Sequence, residues 1–192
     1  TWIKVWPAAL LAAGVIALRR RMALIGAGVA VSVLTLAGVL VAGGGEHAFG
    51  FVGDQTTRGL QVEAPVSTFY LWAQLLDVPG SFVYYSREIL TFQVAGPEID
   101  AVIAAMTPVL VVGVGAVAVL AALKARRGAS VAQLLPVTAM ALVVVCIALN
   151  KVGSPQYLCW LGPPIVLGLL YERRAWTRPA FAVLALSALT QL

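Results

Sequence analysis

The sequence predicts an all-α fold: a polytopic transmembrane helix bundle interrupted by one external segment. Three observations predict it. Six apolar runs approach or exceed the length needed to cross a hydrocarbon core of about 30 Å, which takes about 20 helical residues. Apolar residues make up 61% of the 192-residue chain and charged residues only 11%, against about 25% charged in soluble globular domains. Nine of the thirteen Lys and Arg residues fall in three clusters between apolar runs, while seven of the eight acids fall in the alternate connections.

The basic clusters are Arg19-Arg20-Arg21, Lys124/Arg126/Arg127 and Arg173/Arg174/Arg178, and only Glu172 joins one of them. Basic loops face the cytoplasm. The other connections hold Glu46, Asp54, Glu63, Asp77, Glu88, Glu98 and Asp100 with Lys4, Arg58, Arg87 and Lys151. Split this way, the cytoplasmic side carries about +8 and the external side about −3. A basic face against anionic lipid headgroups accounts for the pI near 9.6 without nucleic acid as a partner. The expected location is the cell membrane, multi-pass. Cys146 and Cys159 lie in or at the edge of apolar runs, where a thiol acts as a small hydrophobe rather than as half of a disulfide framework.

The expected spans are Trp2–Leu18, Met22–Ala42, Ile99–Leu123, Val131–Leu149, Pro155–Tyr171 and Pro179–Leu192. The chain thus divides into two spans over 1–42, an extracytoplasmic segment over 43–98 and four spans over 99–192. The first run is no signal peptide, because its basic cluster follows the apolar stretch instead of preceding it. The chain opens on Thr1 with a span under way and stops within an apolar run, which reads as part of a larger polytopic protein. Pro108 and Pro136 are expected to interrupt or bend their helices, and Pro163-Pro164 to kink the fifth about two turns from its external end. The Gly113/Gly115 pair has no strand before it and reads as helix packing, not a nucleotide fingerprint.

The external segment leaves the membrane at Gly43-Gly44-Gly45. Val62, Val66, Phe69, Ala73 and Leu76 then recur at helical spacing, with Pro65 suited to a first turn and Tyr70 and Trp72 of interfacial type. This predicts a helix lying at the membrane surface. Asp77-Val78-Pro79-Gly80 ends it, and the aromatic and β-branched stretch from Ser81 to Val94 predicts a short hairpin.

Two constellations carry candidate chemistry. His47, Asp54, Arg58 and Glu63 stand within seventeen residues of external loop. An arginine beside Gly59 and near Gln55 and Gln61 suits bidentate phosphate binding, and the same residues also suit an ordinary solvated loop. Lys151 is the only cation in a very short external turn, flanked by Asn150, Ser154, Gln156 and Tyr157. It can snorkel to the interface or reach an anionic headgroup, and hydrogen-bonding groups at membrane depth are often functional. A lone His47 builds no metal site. The chain has no P-loop, no paired metal-ligand spacing, no GxSxG turn and no thiol–imidazole pair.

At these two segments the chain resembles a known family. Arg58-Gly59-Leu60-Gln61-Val62-Glu63 resembles the RGLQ-hydrophobic-E loop of actinobacterial, polyprenol-phosphate-mannose-dependent mannosyltransferases. Lys151-Val152-Gly153-Ser154-Pro155-Gln156-Tyr157-Leu158-Cys159-Trp160 resembles their K-x-x-SPQY-x-x-W element, followed by a proline at Pro163 or Pro164. Val94-Ala95-Gly96-Pro97 resembles the GP before the next span. The family lies in the GT-C superfamily, in the branch that elongates phosphatidylinositol mannosides, and the three motifs cover residues 50–165. The resemblance implies a membrane enzyme with an extracytoplasmic active site. It implies transfer of a sugar, mannose above all, from a polyprenyl-phosphate donor to a glycolipid or glycan acceptor, with inversion and without cofactor or metal. It carries Arg58 and Lys151 over as donor-phosphate contacts, with Gln61, Glu63, Gln156 and Tyr157 lining the same cavity and His47 as a looser helper. The family's base is an aspartate in the first external loop, expected upstream of Thr1, and neither Asp54 nor Glu63 takes its role. The alternative reading is a non-enzymatic polytopic protein, a transporter subunit or lipid-binding scaffold. No second copy of the Pro163-Pro164 break is present to suggest a transporter's inverted repeat.

Overall fold

A computed structural model of the chain describes residues 6–45 and 58–190. Among these residues the fold is mostly helical. Its helices are α1 (Pro7–Ala17), α2 (Arg21–Val41), α3 (Thr68–Leu75), α4 (Ile99–Arg126), α5 (Val131–Ala148) and α6 (Gly162–Leu189). A single hairpin, β1 (Phe82–Ser86) with β2 (Thr91–Ala95), lies between α3 and α4. Helices α2, α4 and α5 are long and apolar enough to cross a membrane.

The bundle core forms where small residues let backbones approach. Ala9 and Ala13 of α1 meet Ala139, Leu142 and Val143 of α5, with Leu161 closing the cluster. Gly113 of α4 serves the same end: a Cβ there would stand 2.7 Å from Leu149 Cδ1 and 3.0 Å from Val145 Cγ1, so α4 and α5 pack through it. Gly115 faces open space. Helix α2 buries no residue, and Leu34 and Val41 are among its many exposed apolar side chains. That surface suits hydrocarbon, since water-facing surfaces seldom carry so continuous an apolar patch.

Several expectations need correction. Of the first run, residues 2–5 lie outside the described residues, and the described part forms a helix over Pro7–Ala17 with Pro7 in its first turn, where the missing N–H costs nothing. Neither Pro108 nor Pro136 interrupts its helix. Pro163-Pro164 makes no mid-helix kink. Residues Pro155–Leu161 form a 3-10 helix whose last residue, Leu161, joins the cluster of Leu142, and both prolines fall in the first turn of α6. The last basic cluster lies in no loop. Instead α6 breaks at the single residue Glu172 (φ −141°, ψ 69°), and Arg173, Arg174 and Arg178 follow on helix.

That break is sharp. Residues 168 and 176 would lie about 12 Å apart along a straight helix, yet the Trp176 ring packs directly on Gly168 and would collide with any Cβ there. Val183 also returns to the cluster containing Leu161, about 33 Å away had the helix stayed straight. Trp176 is buried and holds the two halves together. Trp176→Ala is expected to destabilise the fold by about 3–5 kcal/mol, read as a lowered unfolding midpoint in detergent, with Trp176→Phe affected less.

The segment between α2 and α4 has its own small core of Leu60, Ala64 and Val94, seated on Ile99, Val102 and Ile103 of α4. A 3-10 turn at Pro65–Ser67 leads into α3. The expected apolar stripe divides. Val62 and Val66 turn inward with Tyr70 and Leu71, whereas Phe69, Trp72, Leu75 and Leu76 are exposed. Tyr70 takes the inward place because its hydroxyl donates to the Pro97 carbonyl at 3.3 Å, tying α3 to the start of α4.

Candidate functional site

The Arg58 segment runs along the outer edge of β2 as a short third strand joined by a single bridge pair. Val94 N–H donates to the Leu60 carbonyl at 3.0 Å and Val62 N–H to the Phe92 carbonyl at 3.1 Å, with Gln61 opposite Gln93 in antiparallel pairing. On its other edge, Gln61 N–H donates to the Lys151 carbonyl at 3.1 Å. The Ser67 hydroxyl donates to the Gln61 carbonyl. The two peptide groups flanking Gln61 are thus held by β2, Lys151 and Ser67, and they join the two motif segments although Gln61 and Lys151 are ninety residues apart.

The Lys151 turn is built for this contact. Asn150 Oδ1 accepts the Val152 N–H at 3.1 Å, a side-chain turn that closes the connection in few residues. Gly153 lies so close to the Glu63–Ala64 peptide that a Cβ would collide with its carbonyl carbon, oxygen and nitrogen. Only glycine permits that approach. Trp6 stacks on Trp160 (centroids 5.8 Å apart, 17° between planes), and Trp160 stacks on Tyr157 (4.0 Å, 24°). The start of α1, the Arg58 segment and the Lys151 turn therefore gather at one end of the bundle.

Lys151 is 7% exposed. Burial lowers the pKa of its amine, because removal from water penalises the ammonium form. An anion beside it would reverse that penalty. Arg58 contributes a buried Nε with no hydrogen-bond partner among the described residues, and a buried donor left without an acceptor is costly. The Tyr157 hydroxyl is buried within reach of the charges of both Arg58 and Glu63. Gln61 is buried, while Glu63 and Gln156 are exposed. His47 and Asp54 lie outside the described residues. The backbone bond joins the segments that carry Arg58 and Lys151, with the Tyr157 phenol within reach of the Arg58 charge, and two cations on joined segments suit an oxyanion.

Three contributors escape the sequence reading: Gln93, Ser67 and Trp6. Gln93 sits in an alternating stretch whose pairing partner is remote in sequence. Ser67 looks like a turn residue, and Trp6 like an interfacial anchor. The class of protein that fold and composition define is a mostly helical chain compatible with multi-pass insertion in a membrane. Comparison with protein-family models, curated proteins and solved structures gives no match.

Proposed function

We propose that this chain is the donor-binding portion of an integral membrane glycosyltransferase of the cell membrane. The enzyme moves a sugar, mannose on the motif resemblance, from a polyprenyl phosphate to an extracytoplasmic glycolipid or glycan. The observation that carries the reading is the Gln61–Lys151 backbone bond. It puts the RGLQVE and KVGSPQY segments side by side, as a shared phosphate site requires.

In this reading Arg58 and Lys151 hold the donor phosphate and stabilise the charge that grows on it as the glycosidic bond breaks. Arg58 supplies fork-shaped donors and Lys151 a point charge. An acceptor hydroxyl attacks the anomeric carbon from the opposite face, its proton passes to a carboxylate, and lipid phosphate leaves. In this reading the basic loops face the cytoplasm and this end of the bundle faces outward, and α2, α4 and α5, long and apolar enough to cross a membrane, support a multi-pass arrangement.

The test is transfer from a synthetic polyprenyl-phosphate mannose in membranes carrying the whole gene product. Arg58→Ala and Lys151→Ala are each expected to lower transfer by about 10²–10³-fold while the protein still inserts and reaches normal abundance. Wild-type rates in both variants would leave the scaffold reading in its place.

A further inference from the structure

The two faces of the three-stranded sheet differ in kind. On one face, Val83 pairs with Val94 and packs with Leu60 into the small apolar core. On the other, Tyr84 stands opposite Gln93, and Gln93 opposite Gln61, in one row across three strands. With strands about 4.8 Å apart, this row spans about 10 Å. Its inner end is the residue bonded to Lys151.

The row is polar and partly sheltered. Gln61 is 4% exposed, Gln93 5% and Tyr84 41%. The Tyr84 hydroxyl donates to Gln93 Oε1 at 3.4 Å, a long and weak bond. The same amide oxygen lies against Gly59, where a Cβ would collide with it, so the amide touches the residue next to Arg58. Phe82, on the same face two residues before Tyr84, tilts toward it with centroids 5.9 Å apart, and its ring is half exposed.

Burying two amides on the outer segment of a membrane protein is costly unless something pairs with them. An amide offers both a donor and an acceptor, and a phenol does the same with an apolar ring attached. Together they match the hydroxyls and the apolar ring face of a pyranose. We propose that Tyr84, Gln93 and Gln61 form a sugar-hydroxyl subsite that continues outward from the Arg58/Lys151 phosphate contacts, with the Tyr84 and Phe82 rings as its wall. The inference rests on the donor-site reading above. It adds which residues recognise the sugar.

The experiment measures equilibrium binding of farnesyl phosphate and of farnesyl-phosphoryl mannose to the whole protein in nanodiscs. Wild type is expected to bind the mannosyl lipid more tightly than the bare phosphate. Tyr84→Ala and Gln93→Leu should reduce that sugar-dependent preference by about tenfold, with farnesyl phosphate affinity little changed. Tyr84→Phe, which removes one hydroxyl and keeps the fold's ring, should reduce it by about threefold. A preference unaltered in all three variants overturns the subsite while leaving the phosphate site standing. Farnesyl phosphate binding that is equal in wild type and Arg58→Ala overturns the phosphate site, and the subsite with it.

Discussion

Gly153→Ala is expected to separate the Lys151 turn from the Arg58 segment and to abolish the candidate site without touching any charged group. The added methyl would collide with the carbonyl carbon and oxygen of Glu63 and the nitrogen of Ala64. Those are backbone atoms of a segment already paired to β2 and packed on α4, so no side-chain rotation relieves the clash. Overpacking of a fitted interior costs about 1–3 kcal/mol, and a backbone-on-backbone clash belongs at the upper end. The Gln61–Lys151 bond, which ties the turn to the segment, is expected to give. Two readouts check this: protease cleavage within residues 58–98 should accelerate, and affinity for farnesyl phosphate should fall more than tenfold. Gly115→Ala is the control, because a methyl there meets nothing within 4 Å and should alter neither. Unchanged protection and affinity in Gly153→Ala would show that the turn and the segment do not act as one unit.

How much of this was legible in the sequence depends on the range of the interaction that decides each feature. Helices α2, α4 and α5 begin and end within a few residues of the runs Met22–Ala42, Ile99–Leu123 and Val131–Leu149. A hydrocarbon solvent imposes length and apolarity locally, so a window of about 20 residues suffices to see them. The hairpin over Ser81–Val94 was visible for a similar reason, in β-branched and aromatic residues bounded by turn residues. The orientation of α3 was not. Val62, Val66, Phe69 and Leu76 share a helical period, but Tyr70, Leu71 and Trp72 make the opposite face apolar as well. Periodicity alone then cannot say which face turns inward. The Glu172 break is likewise set from a distance, by Trp176 folding back on Gly168.

The candidate site was half legible. Arg58, Gln61, Lys151 and Tyr157 stood out because charge and amides are rare beside apolar runs, and the structure brings their segments together. Gln93 and Ser67 did not stand out. Their importance comes from cross-strand pairing and from one hydroxyl reaching the Gln61 carbonyl, contacts that leave no local pattern. Gly59 and Gly153 were read as part of motifs. Their physical role, closeness to Gln93 and to the Glu63–Ala64 peptide, emerges only in three dimensions.

Lys151 should make anion binding fall with alkaline pH earlier than an ordinary lysine would. Burial lowers its pKa in the empty site, so the charged form is the strained one. The sign for stability follows from linkage. Between the lowered folded value and the ordinary lysine value, the unfolded chain binds more protons, so stability of the empty protein rises with pH through that window. Ligand binding runs the other way. A lipid phosphate attracts the ammonium, draws a proton onto Lys151 when the amine is neutral, and loses affinity as pH rises past the lowered value. The ligand adds little titration of its own at alkaline pH, because a phosphomonoester has its second pKa near 6 and is mostly dianionic above pH 7. The opposing slopes distinguish a binding role from a structural one: a buried lysine that only fills space would give the stability trend and no ligand trend, and one that snorkels to water would give neither. Farnesyl phosphate affinity measured from pH 7 upward should decline in wild type and be weak and flat in Lys151→Ala. Lys151→Arg should retain part of the affinity and lose the decline, since a guanidinium holds its proton above pH 12. A wild-type affinity that is flat across the same range would remove Lys151 from the phosphate contact and leave Arg58 to hold the anion alone.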